Sequence, residues 1–214
     1  MIKAVIFDLD GTLLNTIDDL ANSVNFMLKS FGFPLFSVEE YKYKVGNGMR
    51  KLIERSLPKE ELNGARVDEC LKVFMAHYDK HKKDNTAPYD GIVKTLETLK
   101  QNGIKLAVVT NKAHTAAKPL VKEVFGDVFD EICGQKENVP TKPNPQSVFG
   151  VCEKLNVTPD ECLFVGDSGV DMQTAKNAEI QAVGVLWGFR KQDELLENGA
   201  DVIISSPQNL LELL

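Results

Sequence analysis

Histidine, cysteine and tryptophan are scarce in this chain: three, four and one among 214 residues. Cys70, Cys133, Cys152 and Cys162 never fall into a C-x-x-C pair, and His77, His81 and His114 are not set beside them. That spacing excludes the usual structural zinc sites and leaves reduced thiols as the expectation, in a cytoplasmic protein. Long apolar runs are missing too. Nothing approaches the ~18 consecutive apolar residues of a membrane span, and acids arrive too early for a secretory leader. Basic charge is not in excess. A net charge of −6 disfavours nonspecific binding of polyanions, so no nucleic-acid partner is expected. The Walker pattern G-x-x-x-x-G-K-[ST] is absent, which removes a P-loop nucleotide site. No repeat or low-complexity tract interrupts the chain.

What is present is an ordinary globular composition, 43% hydrophobic and 26% charged, in a chain long enough for a full core and a smaller companion domain. Ala4-Val5-Ile6-Phe7 is a short continuous apolar run, the pattern of a strand buried on both faces. It stops at Asp8. Asp8 and Asp10 lie two apart, so an extended backbone sends both carboxylates to one side, and Gly11 then permits a sharp turn or a close approach.

From Thr16, a candidate helix cap, apolar residues recur at three and four through Ile17, Leu20, Ala21, Val24, Met27, Leu28 and Phe31. Ser37 with Glu40 reads as a capping box for a second helix. Val45-Gly46-Asn47-Gly48 reads as a loop, Met49 to Leu57 as a third helix, and Val67, Leu71, Phe74 and Tyr78 as the face of a fourth. After Asp90-Gly91 the pattern alternates. Strands are expected at Lys105 to Thr110, Glu131 to Cys133, Cys162 to Val165, Ala182 to Leu186 and Val202 to Ile204, with helices between them and one at the C-terminus. The expected fold is α/β: a Rossmann-like parallel sheet with helices on both faces, formed by residues 1–14 and 85–214, plus an all-helical cap inserted at 15–84.

In open α/β sheets ligands bind beyond the carboxyl ends of the strands. The expected strands end in Asp8 and Asp10, in Thr110-Asn111, and in Gly166-Asp167-Ser168 with Asp171 close behind. Lys142 sits in a proline-rich loop. Four gathered acids repel one another unless neutralised, and hard oxygen ligands suit Mg²⁺, which commonly takes one or two carboxylates plus a phosphate oxygen. That combination points toward phosphoryl chemistry, with one carboxylate as nucleophile and another moving the proton. Taken singly, each residue has a plainer reading: Asp171 a helix cap, Thr110 a turn residue, Lys142 a solvated lysine, His77 and His81 solvated positions in HYDKHKKD. Their order and spacing together argue for a site.

DLDGTLLNT, VVTN, the lysine of TKPNP and VGDSGVD resemble, in order, the four motifs of the haloacid dehalogenase-like hydrolases, and the resemblance covers nearly the whole chain. It implies Asp8 as nucleophile and Asp10 as general acid/base. It further implies Thr110, Asn111 and Lys142 at the phosphate, and Mg²⁺ held by Asp8, the Asp10 carbonyl and Asp167 with help from Asp171. VGNGMRKLIERSL resembles the cap of the phosphoglycolate phosphatases, implying Gly46, Asn47, Gly48 and Arg50 as cap residues that select the leaving group. The implied reaction is hydrolysis of a small phosphorylated metabolite, with phosphoglycolate the leading candidate. A β-phosphoglucomutase-like phosphosugar mutase, a pyrophosphatase or nucleotidase, and a noncatalytic phosphometabolite-binding protein are the alternatives. Gly134-Gln135-Lys136, where those phosphatases usually carry Gly-Gly-Asp, and Glu179, in place of a glycine, depart from the pattern.

Overall fold

The computed structural model describes residues 1–214. They divide into two compact units, Met1–Leu14 with Pro88–Leu214, and Asn15–Ala87.

The first unit is built on β1 (Ala4–Phe7), all four of whose residues are buried. Because both its faces are covered, apolar side chains are needed at every position and not at alternate ones. β1 pairs in parallel with β4 (Lys105–Ala113) on one side and β6 (Cys162–Gly166) on the other. The six-stranded sheet is completed by β5 (Glu131–Gln135), β7 (Gln181–Val185) and β8 (Val202–Ile204), in the order β5-β4-β1-β6-β7-β8, with every pairing parallel. On one face Val5 and Phe7 pack with Leu96 and Leu99 of α5 (Ile92–Gln101) and with Ala117 and Val121 of α6 (His114–Phe125). On the other, Ala4 and Ile6 meet Val148 and Val151 of α7 (Gln146–Leu155), Met172 and Ala175 of α8 (Gly169–Asn177), and Leu195 of α9 (Gln192–Glu197). Each large apolar side chain so buried contributes roughly 1.5–3 kcal/mol. The sheet grows outward in both directions from β1, so the switch point of the topology lies beside that strand. Its carboxyl end is where a ligand site belongs.

Two details differ from the sequence reading. β4 continues past Thr110 to Ala113, with a shift in its register against β5 between those two residues. Such a bulge bends the strand and re-aims its side chains, and no local sequence signal marks it. The C-terminal segment Pro207–Leu213 is a 3-10 helix rather than an α-helix, anchored by buried Leu210.

The second unit holds four helices: α1 (Ile17–Ser30), α2 (Val38–Lys44), α3 (Met49–Ser56) and α4 (Gly64–His81). The apolar stripe of α1 is buried as its period predicts, and the Ser37–Glu40 capping box forms. Thr16 occupies the cap position of α1, but its hydroxyl makes no capping bond. Instead Asp19, one turn on, accepts hydrogen bonds from the backbone N–H and side chain of both Asn85 and Thr86, tying the entry and exit of this unit together. His77 is not simply solvated: its ring stacks on Phe26 at 4.1 Å and its Nδ1 meets the Ser23 hydroxyl at 3.1 Å. Two short strands, β2 (Leu14–Asn15) and β3 (Ala87–Pro88), pair where the chain passes between the units.

Candidate active site

At the end of β1 the Asp8 N–H still donates to the Val165 carbonyl, so the strand holds its pairing as far as the first acid. The chain then folds into a tight loop in which the Leu9 carbonyl accepts from Leu13 and Leu14. Gly11 makes that loop possible, with φ of +93° and an Asp167 oxygen 2.3 Å from where a Cβ would stand. Gly188, just beyond β7, is equally crowded: a Cβ there would lie 2.3 Å from the Asp167 Cβ. Asp167 is therefore gripped between two glycines. Its carboxylate accepts from the Thr12 hydroxyl at 3.0 Å and the Phe189 N–H at 2.8 Å, and the Trp187 indole N–H donates to the Thr12 carbonyl at 2.9 Å.

Lys142 reaches the same place from its loop. Its Nζ lies 2.8 Å from Asp8 Oδ1 and 2.6 Å from Asp171 Oδ1, with the lysine side chain only 4% exposed. The contact with Asp8 is thus a buried ion pair. Asp171 also caps α8, its other oxygen accepting from the Ser168 N–H at 3.0 Å and hydroxyl at 2.6 Å. Asp171 is thus the partner of Ser168 in the capping box of α8 while its first oxygen meets Lys142.

Asp8, Asp167 and Asp171 each present an oxygen within 4.8 Å of the others, all three buried. One ammonium among three carboxylates leaves excess negative charge away from water. Burial, opposed by Lys142, pushes the Asp8 carboxyl up to about 6. Asp167, farther from the lysine, is pushed by burial and by Asp171 and Asp8 up to about 8. Burial alone acts to lower the Lys142 ammonium, yet Asp171 and Asp8 outweigh it and hold that group above its usual value. Three buried hard oxygen donors that resist full ionisation fit a small divalent cation such as Mg²⁺.

Asp10 is not part of this cluster by its side chain. Its carboxylate turns to Lys112, 3.0 Å from Oδ1 and 3.3 Å from Oδ2, and the lysine side chain is 1% exposed. Thr110 is buried with its hydroxyl accepting from the Lys112 N–H at 3.2 Å. Asn111 spends its side-chain amide on the Lys142 backbone. The four cap residues belong to the second unit. There Gly46, Asn47 and Gly48 all have positive φ, and Arg55 holds them through the Gly46 carbonyl at 3.2 Å and Asn47 Oδ1 at 2.7 Å. Arg50 pairs with Asp68 and with Glu54.

Sequence reasoning assigns no role to Thr12, Gly188, Phe189 or Arg55. The same strand-end rule that found Asp167, applied to the strand before Trp187, leads to Gly188 and Phe189. Lys112 is marked only as the third residue of Thr110-Asn111-Lys112, a segment that resembles the phosphoglycolate phosphatases; its pairing with Asp10 comes from the fold.

A family model described as haloacid dehalogenase-like hydrolase matches residues 5–185. The chain is 34% identical to phosphoglycolate phosphatase 1 of Pseudomonas aeruginosa over 98% of its own length and 78% of that protein's. It is also 34% identical to the phosphoglycolate phosphatase of Thiobacillus denitrificans, over 96% and 92% of the two chains. A crystal structure of a protein from Lactobacillus delbrueckii subsp. bulgaricus superposes with a TM-score of 0.93 at 34% identity, covering 99% of this chain and 97% of the other.

Proposed function

Since the chain belongs to the haloacid dehalogenase-like hydrolases, we propose that it is a phosphatase of small phosphomonoesters, with phosphoglycolate the leading substrate and an aspartyl-phosphate on Asp8 as intermediate. The observation that carries this reading is the division of labour between the first two acids. Asp8 lies among the buried charges, paired with Lys142, whereas Asp10 is held out of that cluster by Lys112.

An Asp8 oxygen attacks phosphorus, the bond from phosphorus to the ester oxygen breaks, and Asp10 delivers its proton to that oxygen. Asp10, now a carboxylate, takes a proton from water, whose oxygen attacks the phosphoryl group on Asp8. Inorganic phosphate leaves and both acids return to their starting states. Lys142, the Thr110 hydroxyl and the backbone N–H groups after Asp8 stabilise the charge spread over the transferred group. Asp8, Asp167 and the Asp10 carbonyl, with Asp171 behind them, would hold Mg²⁺, which would supply further neutralisation of the phosphoryl oxygens and of the acids themselves.

Relatives named for phosphoglycolate support that substrate, and Gly46, Asn47, Gly48 and Arg50 are the proposed cap residues that select the leaving group. We place the protein in the cytoplasm: no helix is long and apolar enough to cross a membrane, and the four cysteines are free thiols.

The test is phosphate release from a panel of esters, with Mg²⁺ and with EDTA. Turnover of small phosphomonoesters that EDTA abolishes is the expected result, and Asp8→Asn lowers kcat by at least about 10³-fold while the protein stays folded. No release from any ester, or a variant with most of its activity, refutes the assignment. Isomerisation of a sugar phosphate without net release would give the mutase reading instead.

A further inference from the structure

Lys142 stands between Asp8 and Asp171, carried by an irregular loop that runs from the end of β5 to the start of α7. Three side-chain amides brace that loop: Asn177 of α8 donates to the Pro143 carbonyl at 2.9 Å, and the other two come from the sheet. Asn111, in the bulge of β4, binds the Lys142 backbone on both sides, accepting from its N–H at 2.9 Å and donating to its carbonyl at 3.2 Å. Gln135, the last residue of β5, folds its amide under the start of the loop and donates to the Lys136 carbonyl at 2.8 Å and the Val139 carbonyl at 2.7 Å. The two sheet braces spring from neighbouring strands, so sheet pairing fixes their spacing. The first holds the residue that bears the ammonium, the second the turn that leads to it.

We propose that Asn111 and Gln135 form a two-point clamp that positions Lys142, and that both act on the reaction through that lysine. This rests on the phosphatase reading. It gives Asn111 a task other than contact with phosphate, since both ends of its amide are already engaged. It also gives the departure at Gln135 a physical meaning: glycine there has no side chain with which to brace the loop. A displacement of about 1 Å at a charged catalytic group costs on the order of 10²-fold in rate, so a clamp of this kind acts on kcat.

The experiment is a double-mutant cycle read beside deuterium exchange. Asn111→Ala is expected to lower kcat about 10–100-fold with KM changed less than about threefold, and Gln135→Gly less severely in the same direction. In a Lys142→Met background, Asn111→Ala is expected to change kcat less than about twofold, because its effect already runs through the missing ammonium. Multiplying effects in the double variant, or a raised KM at unchanged kcat, would overturn the proposal by making Asn111 an independent or a substrate-contacting residue. Should Lys142→Met fail to fold, Asn111→Asp serves. It keeps the acceptor for the Lys142 N–H and loses the donor, and the proposal requires it to fall between wild type and Asn111→Ala in kcat. Exchange across 136–145 needs no turnover. It must rise in both single variants while the rest of the unit stays protected, and unchanged exchange refutes the clamp even if wild type proves inactive on every ester. Inactivity of wild type alone counts against the phosphatase reading and leaves exchange to decide the clamp.

Discussion

At the scale of single residues, the site works by giving chemically identical groups different surroundings. Asp8, Asp10, Asp167 and Asp171 are four copies of one side chain with different partners: Lys142 shared by Asp8 and Asp171, Lys112 beside Asp10, Thr12 and Phe189 on Asp167. Lys112→Met should therefore act on Asp10, the proposed proton carrier, without disturbing the buried cluster. The expected outcome is a kcat reduced about 10–100-fold with the dependence on Mg²⁺ concentration unchanged, measured by titrating the metal against rate. The acids themselves were legible in the sequence, because Asp-x-Asp after an apolar run and Gly-Asp after another are local signals. The partners that Lys112 and Thr12 take were not. Their importance comes from where the bulge and the tight loop aim them, and those are properties of the folded backbone.

At the scale of elements, strand ends and helix ends carry the function, and two of them make stability predictions. Glu179 follows α8 with φ of +57°, the left-handed conformation in which a side chain costs about 1–2 kcal/mol and glycine costs little. The glycine expected at that position by resemblance thus has a backbone reason. Glu179→Gly should stabilise the protein by about 0.5–1 kcal/mol after glycine's entropic penalty, seen as a Tm higher by about 1–4 °C. Asp19 lies in the first turn of α1, where sequence alone suggests only a favourable charge at the positive end of a helix. In the folded unit its carboxylate is 1% exposed and receives four donors from Asn85 and Thr86. Asp19→Asn turns an amide toward those donors and should cost about 2–3 kcal/mol, with increased exchange confined first to residues near Asn85. Helical periodicity revealed α1, while a partner 66 residues away left no mark on it.

At the scale of the whole molecule, the buried acids tie stability to pH and to metal. Asp8 and Asp167 have carboxyls raised above the ordinary range, to about 6 and about 8. Between the unfolded carboxylate value of about 4 and those raised values the folded state binds more protons than the unfolded one. The stability these groups give is thus complete below pH about 4 and is lost as pH rises through about 6 and then about 8. In EDTA, Tm should fall between pH 5 and pH 8.5, and added Mg²⁺ should raise it more at pH 8.5 than at pH 5. A Tm independent of pH in EDTA, or an equal gain at both values, contradicts this electrostatic account. The α/β architecture was readable from end to end because apolar runs and helical periods report burial directly. The choice of leaving group was less so: its proposed determinants Gly46, Asn47 and Gly48 lie in a loop whose conformation is held by Arg55, a contact with no local sequence mark.

The central claim is that Asp8 becomes covalently phosphorylated, and rapid mixing with an ester and Mg²⁺, followed by acid quench and peptide mass analysis, tests it most directly. The account predicts one phosphoryl group on the peptide that contains Asp8, transient in wild type and absent from Asp8→Asn. Turnover with no phosphorylated peptide at any time point, or with the group on a residue other than Asp8, would contradict it.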